Sequence, residues 1–179
     1  MNIININTFD KVIIKPNTLI ICDIDDTVLK FEHIDSKWWK KKYDYYLTQS
    51  QSNDPEQADS KTLESWIEHV ITNNPTHTDS KGFERLLNKI VETKSELIFV
   101  TARRIGLEEI TKKHFDLVNI SNHNYKIYHI GNIPKGKFIK SNIQNDNFSH
   151  VIFIDDLNKN LESVFNVFGN KIVLYKFNC

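Results

Sequence analysis

Residues Leu19–Thr27 read Leu-Ile-Ile-Cys-Asp-Ile-Asp-Asp-Thr, an apolar run that ends in three carboxylates and a hydroxyl. A continuous apolar run of this length is typical of a strand that is buried on both faces, as in a parallel sheet. Carboxylates this close together raise one another's pKa unless a cation compensates for them. The segment therefore predicts a bound metal, a shared proton, or both. Taken alone, the pattern fits an acidic turn or helix cap equally well.

Four further apolar runs have the same character: residues 97–100, 127–130, 151–154 and 172–175. Helical patterns follow three of the strands so predicted: residues 104–118, 135–143 and 155–170. Alternating strands and helices predict a parallel sheet with right-handed crossovers and helices on both faces. The expected fold class is therefore α/β, a three-layer, doubly wound parallel sheet.

An insertion of about seventy residues separates the first two apolar runs, where a simple crossover needs a dozen or two. Residues 63–71 and 83–91 carry apolar residues at helical spacing and predict two amphipathic helices, and the aromatic-rich residues 35–47 predict a third. The polar stretch 48–60 has the composition of an exposed linker. We expect residues 32–78 to form a small helical cap, and residues 1–31 and 79–179 to form the core.

Polar side chains also follow other predicted elements. Thr101–Arg104 come directly after one strand, Asp155 and Asp156 follow another, and Lys135 and Lys137 lie at the start of a predicted helix. The carboxyl ends of parallel strands lie along one edge of a sheet, and ligands bind there where the strand order reverses. These groups and the acidic segment are therefore predicted to meet.

The order of acid cluster, hydroxyl, lysine and acid pair resembles the four motifs of the haloacid dehalogenase-like (HAD-like) superfamily, which are DxD, Ser/Thr, Lys and an acidic pair. The resemblance covers about residues 19–175, without the insertion, and implies a Rossmann-type core with a helical cap between the first two motifs. It also implies a Mg²⁺-dependent phosphatase that hydrolyses a phosphomonoester through an aspartyl-phosphate. Asp25 favours this branch, because phosphatases and mutases keep that acid and haloacid dehalogenases lack it.

The resemblance assigns the catalytic roles residue by residue. Asp23 is the expected nucleophile and Asp25 the general acid and base. Thr101 would bind a phosphoryl oxygen, and a lysine would balance the charge of the nucleophile. Lys135 and Lys137 both fit that lysine, and Lys135 is preferred because the family often has Lys followed by Gly at a helix start.

The metal assignment rests on the same motifs. Mg²⁺ would be held by Asp23, Asp155 and the backbone carbonyl of Asp25. Asp156 either assists the metal or caps the following helix. Asn160 matches a polar position that often follows the acid pair, although an Asn there is also typical of a helix surface.

Five residues are predicted to contact the substrate, and four of them have an alternative role. Thr27 either hydrogen-bonds within the motif or orders the turn. Ala102 and Arg103 follow the hydroxyl motif, where Arg103 is either a substrate contact or a solvated or paired side chain. Trp38 and Trp39 either stack on the substrate or pack the cap onto the core.

Composition limits the partners. The chain of 179 residues has 23 basic and 23 acidic residues, so no overall field attracts it to nucleic acid or a membrane. We expect a small phosphorylated substrate, with nucleic acid disfavoured but left open and the oligomeric state undetermined. The absence of a signal-type start or a membrane span predicts a cytoplasmic protein. Two alternatives to the phosphatase are considered. One is a phosphoryl-accepting signalling module, but such a module places its acidic pair first in the chain, whereas here a second acidic pair comes last. The other is a non-catalytic HAD-like binding protein.

Overall fold

The computed structural model describes residues 1–34, 36–49, 54–144 and 146–179. The chain divides into two compact units, one of Met1–Leu29 with His77–Cys179 and one of Lys30–Thr76. No helix in these described ranges is long and apolar enough to span a membrane.

The described residues form eight strands and six α-helices. The strands are β1 (Ile3–Ile6), β2 (Thr18–Cys22), β3 (Leu29–Lys30), β4 (Thr76–His77), β5 (Glu96–Thr101), β6 (Lys126–His129), β7 (His150–Asp155) and β8 (Val173–Phe177). The helices are α1 (Ser36–Gln49), α2 (Pro55–Thr72), α3 (Ser80–Glu92), α4 (Glu108–Leu117), α5 (Lys135–Asn142) and α6 (Asn158–Phe168).

Six strands form a parallel sheet in the order β1-β8-β7-β2-β5-β6. From β2 the chain adds β5 and β6 on one side and then β7 and β8 on the other, so the strand order reverses at β2. Strands β3 and β4 pair in a separate two-stranded sheet. The predicted α/β, doubly wound parallel fold is confirmed.

The central strands β2, β5 and β7 are buried on both faces of the sheet, which explains their continuous apolar runs. On β2, Ile20 and Cys22 pack with α3 and α4 on one face. Leu19 and Ile21 pack with α5 and α6 on the other. Because neighbouring side chains of a strand point to opposite faces, a strand between two helical layers needs apolar residues at every position. The three layers follow directly from this requirement.

Strand β1 was not predicted. Ile3–Ile6 pairs with β8 at the edge of the sheet, and Ile6 is its one buried residue. An edge strand is paired on one side only and needs no continuous apolar run. Because the polar Asn5 interrupts the apolar residues, β1 is missed by a search for continuous apolar runs.

The polar linker predicted over 48–60 is wrong at both ends, because α1 continues to Gln49 and α2 begins at Pro55. Residues 50–53 lie outside the described residues. The Asp54 side chain caps the helix by accepting from the amides of Glu56 and Gln57 at 3.0 and 3.4 Å. Proline suits a first helical position, where its missing N–H has no partner to lose. An Asp-Pro pair in a polar stretch was thus a helix start.

The smaller unit contains α1 and α2, which pack against each other. The Tyr46 hydroxyl and Ser65 Oγ lie 2.7 Å apart and join the two helices. Trp38 and Trp39 on α1 are half-buried, with ring centroids 6.4 Å apart. The Lys42 ammonium lies 5.8 Å from the Trp38 ring centroid. Substrate contact by either tryptophan remains a prediction.

Candidate active site

Three neighbouring strand ends carry the predicted site residues. Cys22 on β2 pairs with Ile154 on β7, so Asp23 and Asp155 lie at adjacent strand ends. The Asp23 amide donates to the Ile154 carbonyl at 2.9 Å, which continues the ladder past the end of β2. Thr101 is the last residue of β5, the other neighbour of β2. The carboxylates therefore lie where the strand order reverses.

The acidic segment turns sharply after Asp23. The Asp26 amide donates to the Leu29 carbonyl at 2.7 Å, and the Val28 amide to the Ile24 carbonyl at 2.8 Å. Asp26 has a φ of 57°, in the left-handed region that Asp and Asn tolerate better than most residues. Thr27 is fully buried, and its hydroxyl has no hydrogen-bond partner in the described part of the chain. The Thr27 hydroxyl therefore does not hydrogen-bond within the motif in this structure. Substrate contact by Thr27 remains a prediction.

Lys135 at the first position of α5 joins two of the strand ends. Its Nζ lies 2.6 Å from Asp23 Oδ1 and 2.7 Å from Asp155 Oδ2, and the residue is 2% exposed. Burial opposes the ammonium charge, but the carboxylates of Asp23 and Asp155 raise the pKa of Lys135 above its ordinary value. Lys137 is exposed. Of the two candidate lysines, Lys135 is the one beside the predicted nucleophile.

The position of Lys135 depends on close contact between α5 and α6 at Gly136. A Cβ on Gly136 would overlap the Ser163 carbonyl oxygen, and the Gly136 amide donates to Ser163 Oγ at 3.1 Å. We expect Gly136→Ala to push α5 away from α6 and to lower the free energy of unfolding by roughly 1–3 kcal/mol. Chemical denaturation would measure this, with Lys137→Ala at the next, exposed position as the control. An unchanged unfolding midpoint in Gly136→Ala would contradict the close contact.

Asp155 is fixed at the end of β7 by groups just before and within the first turn of α6. Its Oδ1 accepts from the Leu157 amide and from Asn160 Nδ2, both at 2.9 Å, and Asn160 Nδ2 also lies 3.1 Å from Oδ2. In the described residues no side chain caps the start of α6, so the capping role considered for Asp156 is not formed. Asn160 contacts the site and is not a surface residue only. Its spacing of five from Asp155 was the available signal, because one helical turn brings position 160 back over the strand end.

Asp23, Asp155 and Asp156 form a candidate metal site. One carboxylate oxygen from each lies within 4.8 Å of the others. Burial, reinforced by the charges of Asp155 and Asp25, raises the pKa of Asp23 to about 7 against the opposing effect of Lys135. Burial and the neighbouring carboxylates likewise raise the pKa of Asp156 to about 8. These raised pKa values mean that the charged carboxylates are destabilised where they lie. A bound divalent cation would relieve this, and carboxylate oxygens are its preferred ligands.

Asp25 and Arg103 form an ion pair beside this cluster. Arg103 Nε donates to Asp25 Oδ2 at 2.9 Å, and Nη2 donates to Oδ1 at 2.8 Å. Arg103 has no exposed surface, and its guanidinium is paired with a protein carboxylate. Of the alternatives considered for Arg103, the structure shows the paired one.

The hydroxyl motif is placed next to Arg103. Thr101 is buried, and its Oγ1 accepts from the Arg103 amide at 3.1 Å. A threonine hydroxyl that accepts one backbone hydrogen bond still has its own proton to donate. Ala102, between them, is exposed. Contact of Thr101 and Ala102 with a phosphoryl group remains a prediction.

Comparisons with known proteins identify the fold. No protein-family model and no curated protein matches the sequence. A solved HAD-superfamily hydrolase from Ehrlichia chaffeensis is 17% identical, with 92% of this chain and 93% of that chain covered and a TM-score of 0.54. A haloacid dehalogenase-like hydrolase from Burkholderia xenovorans is 12% identical, with 90% and 84% covered and a TM-score of 0.56.

A third structure, of the Pnkp1/Rnl/Hen1 RNA repair complex, contains a chain that is 13% identical to this one, with a TM-score of 0.52. The match covers 92% of this chain but 44% of that one, so this chain spans less than half the length of that protein. The fold shared with the two hydrolases is HAD-like, and in this chain it consists of a parallel sheet between two helical layers.

Proposed function

We propose that the protein is a Mg²⁺-dependent phosphatase that hydrolyses a phosphomonoester through an aspartyl-phosphate on Asp23. The observation that carries this proposal is the position of the Lys135 ammonium between Asp23 and Asp155, at adjacent strand ends beside Asp25. A nucleophilic carboxylate, a second acid, a fixed ammonium and a hydroxyl are the groups that in-line phosphoryl transfer requires. The HAD-like fold supports the same function by analogy.

In the first step, a carboxylate oxygen of Asp23 attacks phosphorus and the bond to the leaving oxygen breaks. Asp25 supplies a proton to that oxygen, so that an alcohol departs instead of an alkoxide. Lys135 Nζ, 2.6 Å from Asp23 Oδ1, holds the nucleophile and balances charge near the transferring group. Thr101 donates its hydroxyl proton to a phosphoryl oxygen.

In the second step, water attacks the phosphorus of the aspartyl-phosphate. Asp25, now a carboxylate, takes a proton from that water, and the bond between phosphorus and the Asp23 oxygen breaks. Inorganic phosphate leaves, and Asp23 and Asp25 return to their starting states. One acid therefore serves both steps, first as proton donor and then as proton acceptor.

Asp23, Asp155 and Asp156 would hold the Mg²⁺ ion. When bound, Mg²⁺ neutralises negative charge on the phosphoryl oxygens and draws a dianionic substrate to an acidic site. Asn160 and the Leu157 amide keep Asp155 oriented for this role. The other groups in the proposed reaction are side chains of the protein.

Phosphate release with and without Mg²⁺ tests the proposal. We expect the purified protein to hydrolyse an aryl phosphate with Mg²⁺, to lose this activity in EDTA and to regain it when Mg²⁺ is added back. A panel of nucleotides, sugar phosphates, phosphopeptides and oligonucleotides with terminal phosphates would identify the substrate. Oligonucleotides are included because one protein of similar fold belongs to an RNA repair complex. If the protein hydrolysed neither the aryl phosphate nor any compound in the panel, the proposal would be contradicted.

A further inference from the structure

The Arg103 side chain forms a fixed support behind Asp25. The guanidinium uses two of its five N–H groups to bind both oxygens of Asp25. Arg103 is 0% exposed, whereas the Asp25 side chain keeps 19% of its surface exposed. In this pair the carboxylate faces outward and the guanidinium lies inside. Arg103 thus contacts the buried side of the Asp25 carboxylate, and the opposite side is partly exposed.

The opposite side of the guanidinium is anchored to α4. Arg103 Nη1 donates to Thr111 Oγ1 at 3.0 Å and contacts His114 Nδ1 at 3.2 Å. The Thr111 hydroxyl gives its own proton to the Leu107 carbonyl at 2.8 Å, so its oxygen is available to accept from Arg103. His129 Nε2 lies 3.0 Å from the same oxygen.

These contacts specify the proton positions on the histidines. Because the proton of Thr111 is committed to Leu107, His129 Nε2 must donate to Thr111. Because Arg103 always carries protons, His114 Nδ1 must accept. Both N–H groups of Arg103 Nη1 then have acceptors on α4, while Nε and Nη2 bind Asp25. A guanidinium held on two sides cannot rotate, and this fixes the plane of the carboxylate that it binds.

We propose that Arg103 is a positioning residue that holds Asp25 where it exchanges protons with the leaving oxygen and with the attacking water, and that Thr111 and His114 hold Arg103. This inference rests on the proposed phosphatase function. Each carboxylate oxygen has two lone pairs, and the guanidinium occupies one on each. The second lone pair on each oxygen remains for the transferred proton, so Asp25 can gain and lose it without leaving Arg103.

The test compares substrates that differ in their need for a proton. An alkyl phosphate has a strongly basic leaving group that must be protonated, whereas dinitrophenyl phosphate expels a stable anion. The constant kcat/KM reports the steps up to departure of the leaving group. We expect Arg103→Lys, which loses the two-pronged contact, to lower kcat/KM for the alkyl phosphate on the order of 100-fold. For dinitrophenyl phosphate, the loss should be less than about threefold.

A second measurement follows from the role of Asp25 in the second step. With dinitrophenyl phosphate, Arg103→Lys should form the aspartyl-phosphate at a nearly normal rate but hydrolyse it slowly. Rapid mixing should therefore show a burst of dinitrophenolate, equal to the enzyme concentration, before a slow steady state. Damage to the fold alone would slow both phases together and give no such selectivity.

Two further variants complete the experiment. Arg104→Lys, at the adjacent exposed position, is the matched control and should leave the ratio of the two kcat/KM values unchanged. Thr111→Val removes one anchor of Arg103 and should give a smaller loss with the same preference, and it decides the matter if Arg103→Lys does not fold. Equal losses for both substrates would overturn the positioning role. A wild-type protein inactive on both substrates would instead overturn the phosphatase function itself.

Discussion

Asp23→Asn is expected to lower phosphate release from every phosphomonoester by more than about 1,000-fold, because an amide cannot act as the attacking carboxylate. The substitution preserves the shape of the side chain and an oxygen that can accept from Lys135. Acid quenching after exposure to a radiolabelled substrate should give a labelled wild-type protein and an unlabelled variant. This pair of results would place the covalent intermediate on Asp23.

The same variant is expected to be at least as stable as the wild type. A carboxylate whose pKa is raised in the folded protein binds its proton more tightly there than in the unfolded chain, so it lowers stability as pH rises from about 4 towards 7. Asn at position 23 removes this destabilising charge. In EDTA above pH 7, the melting temperature of Asp23→Asn should therefore equal or exceed that of the wild type.

Asp26→Asn is the matched control. It makes the same chemical change three residues away, at a backbone position with a left-handed φ that Asn tolerates. We expect its activity to stay close to that of the wild type. Retained turnover in Asp23→Asn, or equal loss in both variants, would show that Asp23 is not the nucleophile.

The sequence was sufficient to predict the edge of the sheet where the polar groups lie. Asp23, Thr101 and Asp155 each follow an apolar run directly, and parallel strands bring their carboxyl ends to one edge whatever their order. The distance of Asp23 from Asp155 depends further on β2 and β7 being neighbours. No local pattern specifies that adjacency, which follows from how the whole chain winds around β2.

The contacts of individual side chains were harder to predict. Arg103 and Asp25 are separated by 78 positions, and nothing near either residue shows that they form a buried pair. Asp155 and Asp156 have the same side chain, but the side chains of adjacent residues at a strand end point in different directions. Only the structure therefore shows that Asp155 accepts from the Leu157 amide. Sequence patterns predicted which groups meet, and packing decided which of them pair.

Lys135→Met is expected to impair both activity and stability. Lys135 is charged in the folded protein over the whole neutral range, because Asp23 and Asp155 raise its pKa. Its stabilising contribution is fully present below the pKa of an unfolded lysine, about 10.4, and is lost only as pH rises through the higher folded value. Removal leaves buried carboxylates facing one another, which should cost about 3–5 kcal/mol of unfolding free energy at pH 7. Phosphate release should fall about 100-fold or more.

The cause of the lower stability of Lys135→Met can be tested by compensating the negative charge of the site in other ways. Added Mg²⁺ should raise the melting temperature of Lys135→Met more than that of the wild type, because the variant site is more negative. Lower pH should act in the same direction, since Asp23 and Asp156 then bind protons. Lys137→Met, at an exposed position one residue beyond Gly136, should behave like the wild type in each measurement. If Lys135→Met lost stability equally at every pH and Mg²⁺ concentration, packing of its side chain, and not its charge, would explain why it is buried.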